Sequence, residues 1–272
     1  MGSSFPALDA IAEAFVTARR EARPLDALPG PLPTTLAEAY RVQDLAIALG
    51  GRRIRGWKVA MVRPEFRAAL GAERMAGPIF ADAVHELPAG GHAAAAMFAG
   101  GTMFVEAEFV ARFAHDLTVG PEGFTPERIL AAIGSLHSGF EIVSSPLATL
   151  SQLGPVGVVC DHGHNAGAVV GPEVRGWQGQ PPESLTTRMV IDGAVAGEGS
   201  MASVPGGPLA ALRFLAEHLA TRERHLAAGD IVLTGATTGI HKVRLGGHAR
   251  IVFAGVPDCE IEIVAATAKT ES

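Results

Sequence analysis

The feature that most constrains the fold is the segment Thr102–Phe113, in which every second residue is apolar. That period is typical of a β-strand with one face against a core. Glu106 and Glu108 therefore project together from the other face, about 7 Å apart along the strand. Phe104 and Val110 share that face, which indicates that the two acids do not simply lie in bulk water. The sequence predicts a long strand with a core on one side and paired carboxylates on the other.

Strand and helix signals elsewhere do not alternate regularly. Helices are predicted over 7–22, from the capping box Thr35-Leu-Ala-Glu38 to Gly50–Gly51, after Thr125-Pro126 and after Pro208. Further strands are predicted over 57–62, 140–144, 187–196 (a hairpin turning at Asp192-Gly193), 231–234, 249–254 and 260–265. This order favours an α+β fold, a mixed sheet with flanking helices, over a doubly wound parallel sheet. We expect a helical N-terminal layer over 1–55 and a mixed-sheet catalytic domain over 56–272, joined as one continuous unit.

Composition and charge exclude several function classes. The formal charge of −6 is mild, and the densest basic group is Arg52, Arg53 and Arg55, so we expect no nucleic-acid partner. Cys160 and Cys259 form no C-x-x-C pair, which argues against cysteine zinc sites and disulfide scaffolds. No apolar run approaches the ~18 residues that a membrane span needs, and no signal-peptide pattern is present. We therefore expect a cytoplasmic protein with no membrane partner.

A third acid, Glu141, lies in another apolar strand-like run, Phe140-Glu-Ile-Val143. Two carboxylates ~4 Å apart repel each other by roughly 4 kcal/mol at an effective dielectric constant near 20. Three acids in one cleft would need a proton, a basic partner or a divalent cation, and an all-oxygen site suits Mg²⁺ or Mn²⁺. The alternative is that Glu106-x-Glu108 is a solvated strand face. A second alternative metal site is zinc at His162-Gly-His164, although its glycine-rich surroundings, 157–171, predict a loop and no third ligand is evident.

Six motifs in the same order resemble the hydratase/decarboxylase branch of the fumarylacetoacetate hydrolase superfamily, over nearly the whole chain. They are Ala39-Tyr40-Arg-Val-Gln43, Gly56-Trp-Lys58-Val, Phe80-Ala-Asp82, Val105-Glu-Ala-Glu108, Phe140-Glu141-Ile-Val-Ser144 and Ala228-Gly-Asp-Ile-Val-Leu-Thr-Gly235. The resemblance implies a rolled mixed sheet, a homo-oligomer and a metal held by Glu106, Glu108 and Glu141. It also implies a small 2-oxo acid substrate from aromatic compound catabolism.

The resemblance also assigns roles to residues outside the acid cluster. Lys58 would hold the substrate carboxylate or move a proton, unless it is a surface strand lysine. Asp82 is expected among the catalytic residues. Asp161, His162 and Thr234 are expected to contact the substrate.

Two departures from the family pattern bear on the chemistry. Family hydratases carry a Pro-Asp-[Phe/Tyr]-Gly run with a catalytic aspartate, where this chain has Arg74-Met-Ala-Gly77 and no acid. His164 stands where the family has a small hydroxyl residue. With an ordinary pKa near ~6.5, His164 could supply the missing acid/base chemistry. The alternative is a loop histidine bonded to the backbone.

The leading functional prediction is a metal-dependent hydro-lyase that adds water to an unsaturated 2-oxo acid of the 2-keto-4-pentenoate type, through an enolate stabilised by the metal. A 2-oxo acid decarboxylase and a C–C bond hydrolase of the same superfamily are the alternatives within the enzyme class. A catalytically silent partner subunit is the alternative outside it.

Overall fold

The structure is a computed structural model that describes residues 6–269. Its α-helices in that range are α1 (Pro6–Arg20), α2 (Leu36–Gly50), α3 (Pro64–Leu70), α4 (Pro126–Ala132), α5 (Gly154–Cys160) and α6 (Gly207–Thr221). Its strands are β1 (Ile54–Met61), β2 (Arg74–Phe80), β3 (Val84–Glu86), β4 (His92–Met97), β5 (Thr102–Phe113), β6 (Ile133–Ser145), β7 (Asn165–Glu173), β8 (Thr186–Ile191), β9 (Ala194–Ser200), β10 (Ile231–Lys242), β11 (His248–Phe253) and β12 (Val256–Ala265). None of these helices is long and apolar enough to cross a membrane.

The strands form two mixed sheets. One has seven strands in the order β2-β1-β10-β5-β6-β7-β3, and the other has five in the order β4-β12-β11-β8-β9. The pairs β1–β10, β3–β7 and β4–β12 are parallel, while the remaining pairs are antiparallel. The predicted α+β class with a mixed sheet is confirmed.

The seven-stranded sheet is rolled into a half-barrel. Its edge strand β2 contacts β7, although four strands lie between them in the sheet order. A short turn, His162–His164, packs against β2 and fills the remaining gap. Only glycine fits at position 77, because a Cβ there would lie 2.0 Å from the carbonyl oxygen of His162. The predicted rolled sheet is thus confirmed, and one of its faces becomes the inside of the half-barrel.

Strand β5 lies in the middle of the rolled sheet and has the predicted bounds. Its predicted apolar face is buried apart from the half-buried Met103, and the five-stranded sheet packs against it. The Phe109 and Phe253 rings meet there edge to face, with centroids 5.0 Å apart. Glu106 and Glu108 lie on the opposite face, inside the half-barrel. The period-two pattern therefore separates the core from the candidate site.

The N-terminal helices α1 and α2 pack with α5 around a second apolar core that includes Ile11, Phe15, Val42, Val159 and Cys160. The predicted capping box is present, since Glu38 N–H donates to the Thr35 hydroxyl and the Glu38 carboxylate accepts from Thr35 N–H. Helix α2 ends before Gly51, which has φ 59°. The predicted boundary between the two regions, at residue 55, stays a prediction. The ends of those regions, 1–5 and 270–272, lie outside the described residues.

Several elements differ from their predictions. The predicted glycine-rich loop over 157–171 was wrong, because it contains most of α5 and the first part of β7. Glycines stand in β7 because it packs closely: a Cβ at Gly167 would lie 2.5 Å from the Ala83 carbonyl oxygen. Strand β4 escaped prediction because its alanines have low β-propensity. The strand predicted over 140–144 begins earlier, at Ile133, since the helix before it ends after two turns.

Tyr40 and Gln43 on α2 satisfy the free backbone groups of edge strand β2. Ala76 N–H donates to the Tyr40 hydroxyl at 3.0 Å. The Gln43 amide donates to the Ala76 and Val159 carbonyl oxygens, both at 3.1 Å. An unpaired buried backbone group costs free energy, and an uncovered strand edge invites wrong pairing. These two side chains therefore dock α2 onto the half-barrel.

We expect Gln43→Met to lower the free energy of unfolding by roughly 2 kcal/mol or more. Methionine keeps the volume of the side chain but leaves the Ala76 and Val159 carbonyl oxygens buried without donors, at about 1–3 kcal/mol each. Urea denaturation would measure the change. Tyr40→Phe is the matched control. It leaves only one backbone N–H without an acceptor, so it should lower the free energy of unfolding by less. Equal stability of Gln43→Met and the original chain would contradict this role.

Candidate functional site

The structure brings together the three acids that the sequence singled out. Glu106 on β5 and Glu141 on β6 are direct cross-strand partners, and Glu108 follows one repeat later on the same inner face of β5. Each of the three offers a carboxylate oxygen, and these oxygens all lie within 4.8 Å of one another. This is the only group of His, Cys, Asp or Glu with metal-binding geometry within residues 6–269. The interpretation of Glu106-x-Glu108 as a solvated face is thereby excluded, since Glu108 is fully buried and Glu106 is half-buried.

The electrostatics of the cluster favour a bound cation. Burial and the charge of Glu141 raise the pKa of Glu106 to about 7. Burial and the charges of Glu141 and Glu106 raise the pKa of Glu108 well above its ordinary value. Ionised carboxylates in this cluster cost free energy, because water no longer solvates them and they repel each other. Either protons or a divalent cation must compensate them.

Hydrogen bonds orient the acids and leave two oxygens free. Glu108 Oε2 accepts from Gly235 N–H at 2.7 Å, and Glu141 Oε1 accepts from the Asn165 amide at 3.0 Å. Glu108 Oε1 and Glu141 Oε2 are buried without any hydrogen-bond partner. Buried polar atoms are rarely left unpaired, so these two oxygens are suited to hold a cation. The donor set is entirely oxygen and carries high negative charge, so it fits Mg²⁺ or Mn²⁺.

Lys58 reaches the cluster from β1 because the sheet is rolled. Three strand steps separate β1 from β6, yet Lys58 Nζ lies 3.2 Å from Glu141 Oε1. Only 4% of Lys58 is exposed, so the interpretation as a surface lysine is wrong. Burial alone would lower the pKa of Lys58, but the carboxylates of Glu141, Glu106 and Glu108 outweigh it and raise that pKa. The side chain is therefore a buried ammonium ion inside the half-barrel.

Strand β10 carries irregularities beside the acids. Its pairing with β5 shifts register between Leu233 and Ala236, and again before Ile240. Gly235 has φ 121° at the first shift, and its amide thereby points at Glu108. Bulges of this kind re-aim backbone groups and are frequent beside active sites. The Thr234 hydroxyl, predicted to contact substrate, donates instead to the Phe109 carbonyl oxygen at 2.9 Å, which leaves only its lone pairs for a ligand.

Asp161 is paired with α1 and not with the acid cluster. Its Oδ1 accepts from Arg19 Nε at 2.5 Å, and both side chains are buried. Arg19 also donates to the Asn165 and Ser144 carbonyl oxygens, at 3.0 and 3.1 Å. The Arg19 guanidinium occupies Oδ1, while Oδ2 is buried without a partner, and the predicted substrate contact of Asp161 stays a prediction. The pair fixes the turn that precedes β7.

That turn has an unusual backbone. His162, Gly163 and His164 have φ angles of 53°, 68° and 71°. Side chains other than glycine rarely adopt this left-handed region, and the surrounding structure must hold them there. His162 packs edge-on against the Phe80 ring, 5.0 Å between centroids, and both its ring nitrogens are buried without partners. Zinc at His162 and His164 gains no support, because they join no metal-binding group in the described chain.

His164 lies at one end of the inner face of β5. Its Nε2 is 2.6 Å from the Thr102 hydroxyl, and its ring meets the Phe104 ring edge-on at 6.1 Å. Burial, with the charges of Lys58 and Arg19, lowers the pKa of His164 to about 3. This dry and positively charged setting opposes the expected ionisation near neutrality, and the catalytic role of His164 stays a prediction. The described hydrogen bonds of the His164 side chain include one to Thr102 and none to the backbone.

Asp82 does not join the acid cluster. Its side chain is 47% exposed and forms ion pairs with Arg52, at 2.6 Å, and with Lys269. Arg52 in turn lies over the Phe80 ring. These contacts tie the turn after β2 to its surroundings outside the acid cluster, and the catalytic role of Asp82 stays a prediction. The stretch Arg74–Gly77, which lacks the family acid, is part of β2 and supplies no other acid.

Four residues near the site escaped assignment from the sequence: Arg19, Thr102, Asn165 and Gly235. Arg19 carried no local signal, since basic residues near the end of a helix are common. Thr102 and Gly235 lay within motifs that had already been noted, but their contacts depend on pairing across the sheet. Asn165 was visible in the Asp161–Asn165 segment, and its bond to Glu141 could not be inferred without the register of β6 and β7.

Comparison with known proteins gives a consistent result. No family model matches the chain. A curated 4-oxalocrotonate decarboxylase of Pseudomonas putida is 25% identical over 128 residues, which is 47% of this chain and about half, 48%, of that protein. The solved structure of 4-oxalocrotonate decarboxylase from Pseudomonas putida G7, complexed with magnesium and adipate, matches with a TM-score of 0.79 and 22% identity. That match covers 97% of this chain and 99% of the other.

A more distant match points to the same architecture. Fumarylpyruvate hydrolase from Pseudomonas aeruginosa, in complex with Mn²⁺ and pyruvate, has a TM-score of 0.57 and 16% identity, over 79% of this chain and 91% of that one. Both solved relatives hold a divalent metal and a small carboxylate. Together with the rolled sheet and its N-terminal helices, these matches show that the chain has the fumarylacetoacetate hydrolase-like fold.

Proposed function

We propose that the chain is a divalent-metal-dependent enzyme of the fumarylacetoacetate hydrolase superfamily that decarboxylates an unsaturated 2-oxo diacid of the 4-oxalocrotonate type. The observation that carries this proposal is the cluster of three acids, two of them fully buried, with two unpaired carboxylate oxygens and Lys58 beside it. Such a site is costly without a cation, and it lies in a fold that matches a magnesium-binding decarboxylase over almost its whole length.

The residues of the cluster have complementary roles. Glu106, Glu108 and Glu141 would hold Mg²⁺ or Mn²⁺, with Gly235 and Asn165 orienting two of the carboxylates. The cation would supply positive charge beside the 2-oxo oxygen of the substrate, where negative charge develops during the reaction. Lys58 provides a buried ammonium group that can hold the carboxylate next to the 2-oxo group.

The proposed decarboxylation requires few catalytic groups from the protein. 4-Oxalocrotonate is a six-carbon diacid with a 2-oxo group beside one carboxylate. In the tautomer whose C=C bond is conjugated with the 2-oxo group, the bond to the distant carboxylate breaks and CO₂ leaves. The electron pair moves through the C=C bond to the 2-oxo oxygen, which then takes up a proton to give a dienol. No base has to remove a proton for the C–C bond to break.

Because decarboxylation needs no catalytic base, it is favoured over hydration. Hydration is the leading prediction from the sequence. Hydration requires a proton to be delivered to carbon and a water to be activated, which calls for a titrating acid/base group. The chain has no acid at Arg74–Gly77, and the pKa of His164 is far below neutrality. Hydratase and C–C hydrolase activities are therefore the less favoured members of the same class. A homo-oligomeric state and a place in aromatic catabolism remain expectations from the resemblance.

The proposal predicts CO₂ release from 4-oxalocrotonate in the presence of Mg²⁺, with stoichiometric appearance of the dienol absorbance. 2-Hydroxypenta-2,4-dienoate, offered separately, should not be consumed beyond its spontaneous rate. The matched control is Glu108→Gln, which should release no CO₂. Conversion of the dienoate to a 4-hydroxy-2-oxo acid would instead identify a hydratase. Inactivity towards both compounds, in a protein that binds Mg²⁺, would favour a silent partner subunit.

A further inference from the structure

His164 has a defined tautomer because of its contact with Thr102. The Thr102 hydroxyl oxygen accepts from Ser145 N–H at 2.9 Å and lies 2.6 Å from His164 Nε2. No other acceptor for the Thr102 hydroxyl proton is present among the described hydrogen bonds. A buried hydroxyl normally donates its proton, so Thr102 donates to Nε2. The neutral imidazole must then carry its proton on Nδ1, which has no protein partner among those bonds.

The ring of His164 lies on the same inner face as the acid cluster. Thr102, Phe104 and Glu106 alternate along this face of β5, about 7 Å apart. His164 contacts the first two, and the next residue, Asn165, donates to Glu141. The imidazole is thus between one and two strand repeats beyond Glu106, at the end of the row away from Glu108.

The backbone holds this ring in place at a cost. A φ of 71° costs free energy for a residue other than glycine. Arg19 anchors the turn on both sides through Asp161 and the Asn165 carbonyl oxygen. Strained residues that the surroundings hold so firmly are concentrated at functional sites.

The proposed substrate is long enough to extend from the acid cluster towards His164. The terminal carboxyl carbons of an extended six-carbon diacid are about 6 Å apart. If the 2-oxo end lies at the acid cluster and Lys58, the second carboxylate reaches the neighbourhood of His164. We infer that His164 recognises this second carboxylate through an Nδ1–H hydrogen bond, with Thr102 as the positioning residue that keeps the proton on Nδ1. The inference rests on the proposed function and names the substrate class as a diacid.

A neutral donor suits a carboxylate that must leave as CO₂. A cation at this position would stabilise the charged carboxylate of the bound substrate more than the transition state, in which that charge is moving away. Only interactions that are stronger in the transition state than in the bound substrate speed the chemical step. A neutral imidazole orients the leaving group and opposes its departure less than a cation would.

The test compares two unreactive 2-oxo acids that differ only in the second carboxylate, 2-oxoadipate and 2-oxohexanoate. Calorimetry with the Mg²⁺-loaded protein should show about 10- to 100-fold tighter binding of the diacid, as expected for a hydrogen bond to a charged group. In His164→Gly, which tolerates the left-handed backbone, the preference should shrink to about twofold while 2-oxohexanoate binding persists. Equal affinities in the original chain, or an unchanged preference in His164→Gly, would overturn the inference and leave the proposed function standing.

A second experiment tests Thr102 through the tautomer of His164, which a purely structural role of Thr102 would leave unchanged. Nitrogen-15 NMR of the histidines should show His164 protonated on Nδ1 in the original chain and in Thr102→Ser. In Thr102→Val the two tautomers should mix, and the preference for 2-oxoadipate should fall at least threefold. A proton on Nε2 in the original chain would refute the assignment. If neither 2-oxo acid binds in a Mg²⁺-dependent way, the proposed function itself fails.

Discussion

Glu108→Gln is expected to abolish the stabilisation of the protein by Mg²⁺ while making the metal-free protein more stable. Glu108 is fully buried. Its Oε2 accepts a hydrogen bond from Gly235 N–H, and its Oε1 has no partner. Glutamine keeps the volume and can still accept from Gly235, but it carries no charge to repel Glu106 and Glu141. Substitution of a residue that binds metal at the expense of stability should remove the stabilisation by Mg²⁺ and raise the stability of the metal-free protein.

Thermal unfolding measures both effects. At a Mg²⁺ concentration 100 times the dissociation constant, the original chain should gain about 2.7 kcal/mol. For a chain of this size that is roughly 5–10 °C in Tm, and Glu108→Gln should gain almost nothing. Glu198→Gln is the matched control, because Glu198 is an exposed strand glutamate paired with Arg188. A Mg²⁺-induced shift in Glu108→Gln equal to that of the original chain would remove Glu108 from the metal site.

The metal-free difference should grow with pH. The pKa of Glu108 is raised in the folded state, so the folded protein binds more protons than the unfolded chain above the ordinary pKa. Stability from this group is therefore present in acid and is lost as pH rises towards the folded-state pKa. Glu108→Gln lacks this loss, so its metal-free advantage should be small near pH 5 and larger near pH 8.

Lys58→Met is expected to lower kcat/KM for 4-oxalocrotonate by at least ~100-fold with Mg²⁺ present. The variant loses a charge-assisted contact to the substrate carboxylate, which is worth a few kcal/mol. The substitution should also affect stability, because Lys58 Nζ is buried 3.2 Å from Glu141 Oε1. Removing one partner of a buried ion pair costs about 3–5 kcal/mol.

The metal-free Lys58→Met protein should therefore unfold at lower temperature, and Mg²⁺ should recover most of the loss by balancing the charge of Glu141. Activity should not recover with it. Lys242→Met is the control, because Lys242 is an exposed lysine on β10 of the same sheet. Full activity of Lys58→Met would end the assigned role of Lys58, and unchanged metal-free stability would contradict the buried ion pair.

The sequence by itself determined the features that depend on local periodicity and local chemistry. The alternation over Thr102–Phe113 predicted the bounds of β5, its core face and its two acids. The Thr35–Glu38 capping box and Gly51 predicted both ends of α2. These predictions succeeded because strand period, helix caps and left-handed glycines are decided by residues a few positions apart. The ordered motifs added the identity of the third acid, Glu141, and of Lys58.

Only the tertiary structure decided which of the remaining polar residues belong to the site. Rolling of the sheet carries Lys58 to Glu141 across three strand steps, and no local pattern encodes that curvature. The same packing pairs Asp161 with Arg19, 142 residues away, and leaves Asp82 among surface cations. It also removes water from around His164, so that the imidazole is neutral. Burial and long-range pairing set a side chain's charge and partners, and both arise from contacts between elements distant in the sequence.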